Sequence, residues 1–132
     1  MFQSISHKFR SGCMMLARSQ AESISFLGSA FLVHGDGYLL TAAHLTTQEH
    51  DLVVVPTTTS DEFSPMTFDR VAAMGVEVRR RDTNRDVALL RIKQDIPISV
   101  PDDLLGATSA VRPGASVLSL AYAFGYQQVH NL

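Results

Sequence analysis

Apolar residues along this chain fall into short runs, separated by polar, glycine-marked or proline-marked breaks. Residues 1–11 are polar and mixed and predict a loose arm. Cys13 to Arg18 is a compact apolar run, a first strand, and Ser19 to Ser25 is polar and turn-like. Phe26 to His34 predicts a second strand, with Phe31, Leu32 and Val33 as its apolar mass. Gly35-Asp36-Gly37 is a strong hairpin signal, because glycine supplies the positive φ that tight turns require. Tyr38 to Thr41 is then the returning strand. Ala42 to Leu45 is small and helix-tolerant, which predicts a short helical turn. Asp51 to Pro56 contains Val53, Val54 and Val55 and reads as a strand ended by proline. Thr57 to Pro65 reads as a polar loop. Arg70 to Arg79 alternates in part (Val71, Met74, Val76, Val78) and predicts a strand, and Arg80 to Arg85 a charged loop. Asp86 to Lys93 carries Val87, Leu89, Leu90 and Ile92, a buried strand. Gln94 to Pro113 is a connection broken by prolines, Ala115 to Tyr122 a last apolar strand, and Gly125-Tyr126 opens a further turn. Six or seven short strands with little helix predict an all-β antiparallel barrel or sandwich.

The length of 132 residues fits one small domain. With 45% hydrophobic and 18% charged residues the composition is globular. A net charge of −2 exerts no global pull on nucleic acid or anionic membrane, so neither is an expected partner. The one basic cluster, Arg79-Arg80-Arg81 with Arg85, reads as a solvated loop. Cys13 is the only cysteine, so no intrachain disulfide is possible, and it reads as a small buried hydrophobe. No run approaches the ~18 apolar residues of a membrane span. Gly12 to Ala17 is too short for a signal-peptide core.

Two residues at strand ends carry candidate chemistry. Imidazole titrates nearest neutrality, so His44 is a candidate general base for a hydroxyl nucleophile. That task requires one tautomer, which a carboxylate on the other ring nitrogen enforces, and Asp86 has the right chemistry. By residue type alone the pair is also readable as an ordinary surface histidine and a strand-start aspartate. A zinc site from His34, His44 and His50 would need convergence from separate segments, and no compact ligand motif supports it. Gly35-Asp36-Gly37 is no phosphate cradle, since no Lys-Ser/Thr and helix start follow. No metal or cofactor is expected.

The flanking residues add more. Thr41-Ala42-Ala43-His44, preceded by Gly28-Ser29-Ala30-Phe31 and the Gly-Asp-Gly turn, resembles the first barrel of the trypsin/chymotrypsin superfamily of serine peptidases. Asp86-Val87-Ala88-Leu89-Leu90 resembles the segment bearing that family's aspartate. Gly114 to Tyr122, followed by Phe124-Gly125, resembles its next strand. The short loops and lack of disulfides look most like the bacterial-type, high-temperature-requirement-like branch, which implies an intracellular or periplasmic setting. Leu45 stands where secreted animal members usually have a cysteine. The resemblance covers roughly residues 12–126. It implies a six-stranded antiparallel Greek-key barrel over 12–122, the first half of a two-barrel fold, with 123–132 starting the inter-barrel linker. It also implies a peptide or protein substrate, His44 as general base and Asp86 as its orienting carboxylate.

The family's nucleophile sits in a Gly-x-Ser-Gly-Gly context, which these 132 residues lack. Ser109 and Ser116 are not followed by glycine, and Ser29 belongs to the first-barrel match. The expectation is the N-terminal part of a serine endopeptidase whose serine-bearing half is missing, inactive alone and completed by a C-terminal barrel or a complementing chain. The alternative is a non-catalytic barrel that binds proteins. Leu120, Tyr122, Phe124 and Tyr126 are candidates for an inter-barrel face, whose exposure predicts self-association. Phe31 and Tyr38 are expected in the core or between barrels.

Overall fold

A computed structural model of the chain describes residues 2–9, 12–20, 23–48, 50–56, 73–95, 100–101 and 104–121. Six strands form a closed antiparallel barrel: β1 (Cys13–Gln20), β2 (Ser23–His34), β3 (Tyr38–Thr41), β4 (Leu52–Val55), β5 (Met74–Asp82) and β6 (Val87–Ile92). Their order around the barrel is β1-β2-β3-β6-β5-β4, and β1 pairs with β4 to close it. The chain thus leaves β3, crosses to the far side, and winds back through β4 and β5 to set β6 beside β3. Closure removes the exposed sheet edges that would otherwise recruit other strands.

The interior is built by alternation. Met14, Leu16, Ala30, Leu32, Leu39, Leu52, Val54, Val76, Leu90 and Ile92 point inward and form one cluster. Strand β1 is buried on its outer face too, through Cys13, Met15 and Ala17, which is why its sequence is an unbroken apolar run. Its outer face meets the segment around Leu120, whose carbonyl lies 3.8 Å from Cys13 Sγ. Burial pushes the Cys13 thiol up from its ordinary value, opposed in part by a hydrogen bond with the Ser29 side chain. Cys13 is therefore the buried small hydrophobe its run implied.

The β2–β3 hairpin closes at Gly35-Asp36-Gly37. Gly37 takes φ 89° and its N–H donates to His34 O at 3.1 Å. The Asp36 N–H donates to His34 Nδ1 at 3.1 Å, so His34 serves the turn.

Several expectations need correction. Phe2–Phe9 is an α-helix (α1), not a loose arm. The turn-like reading of Ser19 to Ser25 is too wide, because β1 runs to Gln20 and β2 begins at Ser23. Arg80, Arg81 and Asp82 lie in β5, paired with Leu89, Ala88 and Val87. A bulge between Val78 and Arg80 breaks the alternation there and hides the strand from a period-two reading. Residues 115–121 form no strand, since the barrel is already closed and offers no edge to pair with. Of the two placements expected for Phe31, the core is excluded, because it points outward, 48% exposed. Tyr38 is half-buried on the outside, its ring edge to His34 and under the Arg91 guanidinium. The Thr57–Pro65 loop, Tyr122, Phe124, Tyr126 and the 123–132 linker lie outside the described residues. Among the described residues, no helix is long and apolar enough to cross a membrane.

Candidate active site

Strand register brings the two candidate residues together. Thr41, at the end of β3, pairs with Ala88, near the start of antiparallel β6. His44 follows Thr41 by one short turn and Asp86 precedes Ala88, so both emerge at the same end of the barrel. Residues 42 apart in sequence thereby become hydrogen-bonded neighbours.

His44 sits in a 3-10 turn, Ala43–Thr46, the short helical turn expected there. Ala43 and Thr46 are its buried side, while His44 faces out. Just before the turn, the end of β3 is tied to β2, where the Thr41 hydroxyl donates to Ser29 O at 2.8 Å. Leu45 packs onto Gly28: a Cβ added at residue 28 would lie 2.6 Å from Leu45 Cδ1. An apolar contact thus anchors the turn. The small residue in Gly28-Ser29-Ala30 has a steric role that periodicity alone does not reveal.

Asp86 ends the β5–β6 turn in a left-handed conformation, φ 55°. The turn is shaped by Asp82, whose Oδ1 accepts from the backbone N–H groups of Asn84 and Arg85, both at 3.1 Å. Its Oδ2 accepts from the Arg85 guanidinium at 2.8 Å. These contacts, the Arg85 side chain first, hold the Asp82 carboxyl below its ordinary value. Turn geometry of this kind, with an Asp side chain bonded to N–H groups two and three residues on, aims the following residue. Here that residue is Asp86.

The Asp86 carboxylate grips His44 twice. Oδ2 lies 2.6 Å from the ring Nδ1, and Oδ1 accepts from the His44 backbone N–H at 2.8 Å. Both bonds, the ring's first, hold the Asp86 carboxyl below its ordinary value. A carboxylate is acceptor-only, so this network assigns the Nδ1 proton to the ring. Neutral His44 then presents an unprotonated Nε2 on its other edge. The side chain is 68% exposed, so that edge is open to an incoming group. The arrangement can accept a proton from a hydroxyl and stabilise the resulting imidazolium. Among the described residues, no group of three His, Cys, Asp or Glu side chains is placed to hold a metal.

The other candidates are dispersed. His34 is engaged in its hairpin, His50 is exposed in the connection before β4, and Ser109 and Ser116 lie in the exposed segment after the barrel. Ser29 is in β2. Sequence reading missed Thr46 and Arg81, which lie against each other 35 residues apart. Only the packing of the 3-10 turn on β5 joins them, and no local motif marks it.

Known proteins resemble this chain in sequence and in fold. The family described as "Trypsin-like peptidase domain" matches residues 28–131. The chain belongs to that family, in its HtrA-like branch. Serine protease HTRA1 of Xenopus laevis is 35% identical over 100 residues, covering 76% of this chain and 19% of the relative. Serine protease HTRA1B of Danio rerio is 31% identical over 100 residues, covering 76% of this chain and 18% of the relative. The chain therefore spans about a fifth of the length of the curated relatives it matches. Among solved structures, an HtrA-type protease AlgW with a decapeptide superposes with TM-score 0.60 at 17% identity. That match covers 86% of this chain and 38% of the other. It shows the shared fold, and the closed six-stranded barrel expected from the trypsin-like resemblance is the one found.

Proposed function

We propose that this barrel contributes the general base and its orienting carboxylate to a serine endopeptidase site, with the serine borne by a second barrel. That barrel is either further along the same polypeptide or on a complementing chain. In domain terms, residues 12–122 are the first barrel and 123–132 lead toward the second. The observation that carries the reading is the 2.6 Å His44 Nδ1–Asp86 Oδ2 contact with the opposite ring edge open. Membership of the trypsin-like family and the peptide held by an HtrA-type neighbour support a peptide substrate.

In this reading, Nε2 of His44 takes the serine proton as the serine oxygen attacks the peptide carbonyl. The imidazolium, paired with the ionised Asp86, then returns the proton to the leaving amine. Water repeats the sequence to release the acyl group. The developing oxyanion needs backbone donors beside the serine, and losing one such donor costs roughly 10²–10³ in rate. Those donors also belong to the second barrel, so these 132 residues are expected to be inactive alone.

The test is labelling by a serine-directed fluorophosphonate, followed by peptide hydrolysis. The chain is assayed alone, then with a second-barrel segment bearing Gly-x-Ser-Gly. No labelling alone, labelling after addition, and its loss in His44→Ala are expected. Labelling of the isolated chain would overturn the placement of the serine. Absence of labelling with every complementing segment would favour the non-catalytic, protein-binding barrel.

A further inference from the structure

The turn that carries His44 is an arch across the end of the barrel. It leaves β3 at Thr41 and passes over the start of β6, packing on both β6 and β5. Thr41 and Arg81 each pair with Ala88, so β3, β6 and β5 present one continuous cross-strand row beneath the arch. The arch is held at its near end by the Thr41 hydroxyl on Ser29 O, and at its middle by Asp86 on the His44 N–H.

Its far end is held by Arg81. The Arg81 Nε donates to Thr46 Oγ1 at 3.0 Å, and its terminal Nη2 donates to Thr46 O. The Thr46 hydroxyl, fully buried, donates onward to Ala43 O at 2.8 Å. One guanidinium thus engages the last residue of the turn at both side chain and carbonyl, and the hydroxyl relays that hold to the residue preceding His44. Guanidinium is suited to this because its donors are planar and diverge in a fixed fork; a lysine ammonium has no such fork. Arg81 also lies on the strand that runs directly into the turn bearing Asp86. The Arg81–Thr46 contact therefore ties the histidine-bearing arch to the aspartate-bearing hairpin.

We propose that Arg81, acting through Thr46, is a positioning residue that sets the register of His44 on Asp86. It touches neither the substrate nor the reacting atoms. As a catalytic device it rests on the proposed function above, but its physical content is the geometry of the His44–Asp86 pair, which can be read without any peptidase activity. Two hydrogen bonds to one exposed histidine need the turn and the hairpin held in register. A turn of four residues with one end released has rotational freedom enough to break the ring contact while leaving the barrel core intact.

The test is the tautomer of neutral His44 in the ¹⁵N-labelled 132-residue chain, read from long-range nitrogen–proton correlations above neutral pH. Free imidazole favours the Nε2–H form, whereas the Asp86 contact demands Nδ1–H. Wild-type chain and Thr46→Ser are expected to hold His44 as Nδ1–H. Arg81→Met, Arg81→Lys and Thr46→Val are expected to shift it to predominantly Nε2–H, with the backbone amide shifts of β1, β2 and β4 unchanged. Retention of Nδ1–H in Arg81→Met overturns the proposal. Should Arg81→Met fail to fold, the Thr46→Val and Thr46→Ser pair decides, and retention of Nδ1–H in Thr46→Val overturns it equally. A wild-type chain already in the Nε2–H form overturns the His44–Asp86 pairing itself, and with it both readings. Nδ1–H in wild type and in Arg81→Met together removes only the role of Arg81.

Discussion

Asp86 is the residue on which the candidate site turns, because one carboxylate fixes both the backbone and the ring of His44. Asp86→Asn keeps the shape but offers an amide that can donate to Nδ1, which favours the wrong tautomer. In the complemented enzyme, kcat is expected to fall by roughly 10⁴, the scale seen when a triad aspartate is neutralised. Peptide hydrolysis at saturating substrate measures it, and a fall of less than tenfold would remove Asp86 from the mechanism. Acid behaviour follows from the same contacts. Asp82 and Asp86 both have folded-state values below the ordinary 3.8. The unfolded chain therefore takes up their protons first as pH falls. The stability they contribute is complete above the ordinary value and is lost as pH drops through the folded values. Urea midpoints of the wild type are expected to decline below pH 4 or thereabouts, and Asp82→Asn and Asp86→Asn to flatten that decline. An unchanged acid slope in both variants would contradict this assignment.

The 3-10 turn and the β5–β6 hairpin are the elements that convert strand register into a paired site. The turn depends on Leu45 lying over Gly28, a position where backbone freedom is irrelevant and space decides. Gly28→Ala is expected to cost about 1 kcal/mol, the low end of overpacking, because the atom it meets is the movable end of a side chain. Pairing it with Leu45→Ala relieves the clash, so the double variant should be less destabilised than the sum of the singles. Thermal denaturation of the four proteins completes the cycle, and strict additivity would show that the contact is unimportant. The hairpin was harder to read than the turn. Arg79-Arg80-Arg81 looks like a solvated loop because charge dominates the triplet, yet β6 supplies all the hydrogen-bonding that makes it strand. Ala43 and His44, by contrast, announced a short turn through their small size and their place after a strand.

At the largest scale, the described residues form a closed barrel followed by a tail with exposed apolar residues. Val111 and Val117 are 61% and 77% exposed, beyond the reach of the barrel core. Exposed apolar surface of this kind finds partners, and we propose that the 132-residue chain self-associates through it at high concentration. Light scattering is expected to report species larger than a monomer, shifting toward monomer in Val111→Ser with Val117→Ser. A monodisperse wild-type monomer would refute it. The same exposure explains why the last predicted strand did not form: apolar alternation needs a neighbouring edge, and β1–β4 pairing leaves none.

What the sequence determined by itself was local. Short apolar runs located five of the six strands closely, partial alternation located part of the sixth, glycines marked the hairpin, and Thr-Ala-Ala-His with Asp-Val-Ala-Leu-Leu named the family and the two candidate residues. What only the tertiary structure decided was contact. The Thr41–Ala88 register brought His44 to Asp86, and the shared cross-strand row brought Arg81 to Thr46. Hydrogen-bond partners separated by dozens of residues leave no periodic trace, because their proximity is a property of strand order and not of any segment. The bulged run of β5 escaped for the same reason, because its conformation rests on β6, a neighbour that a linear pattern does not contain.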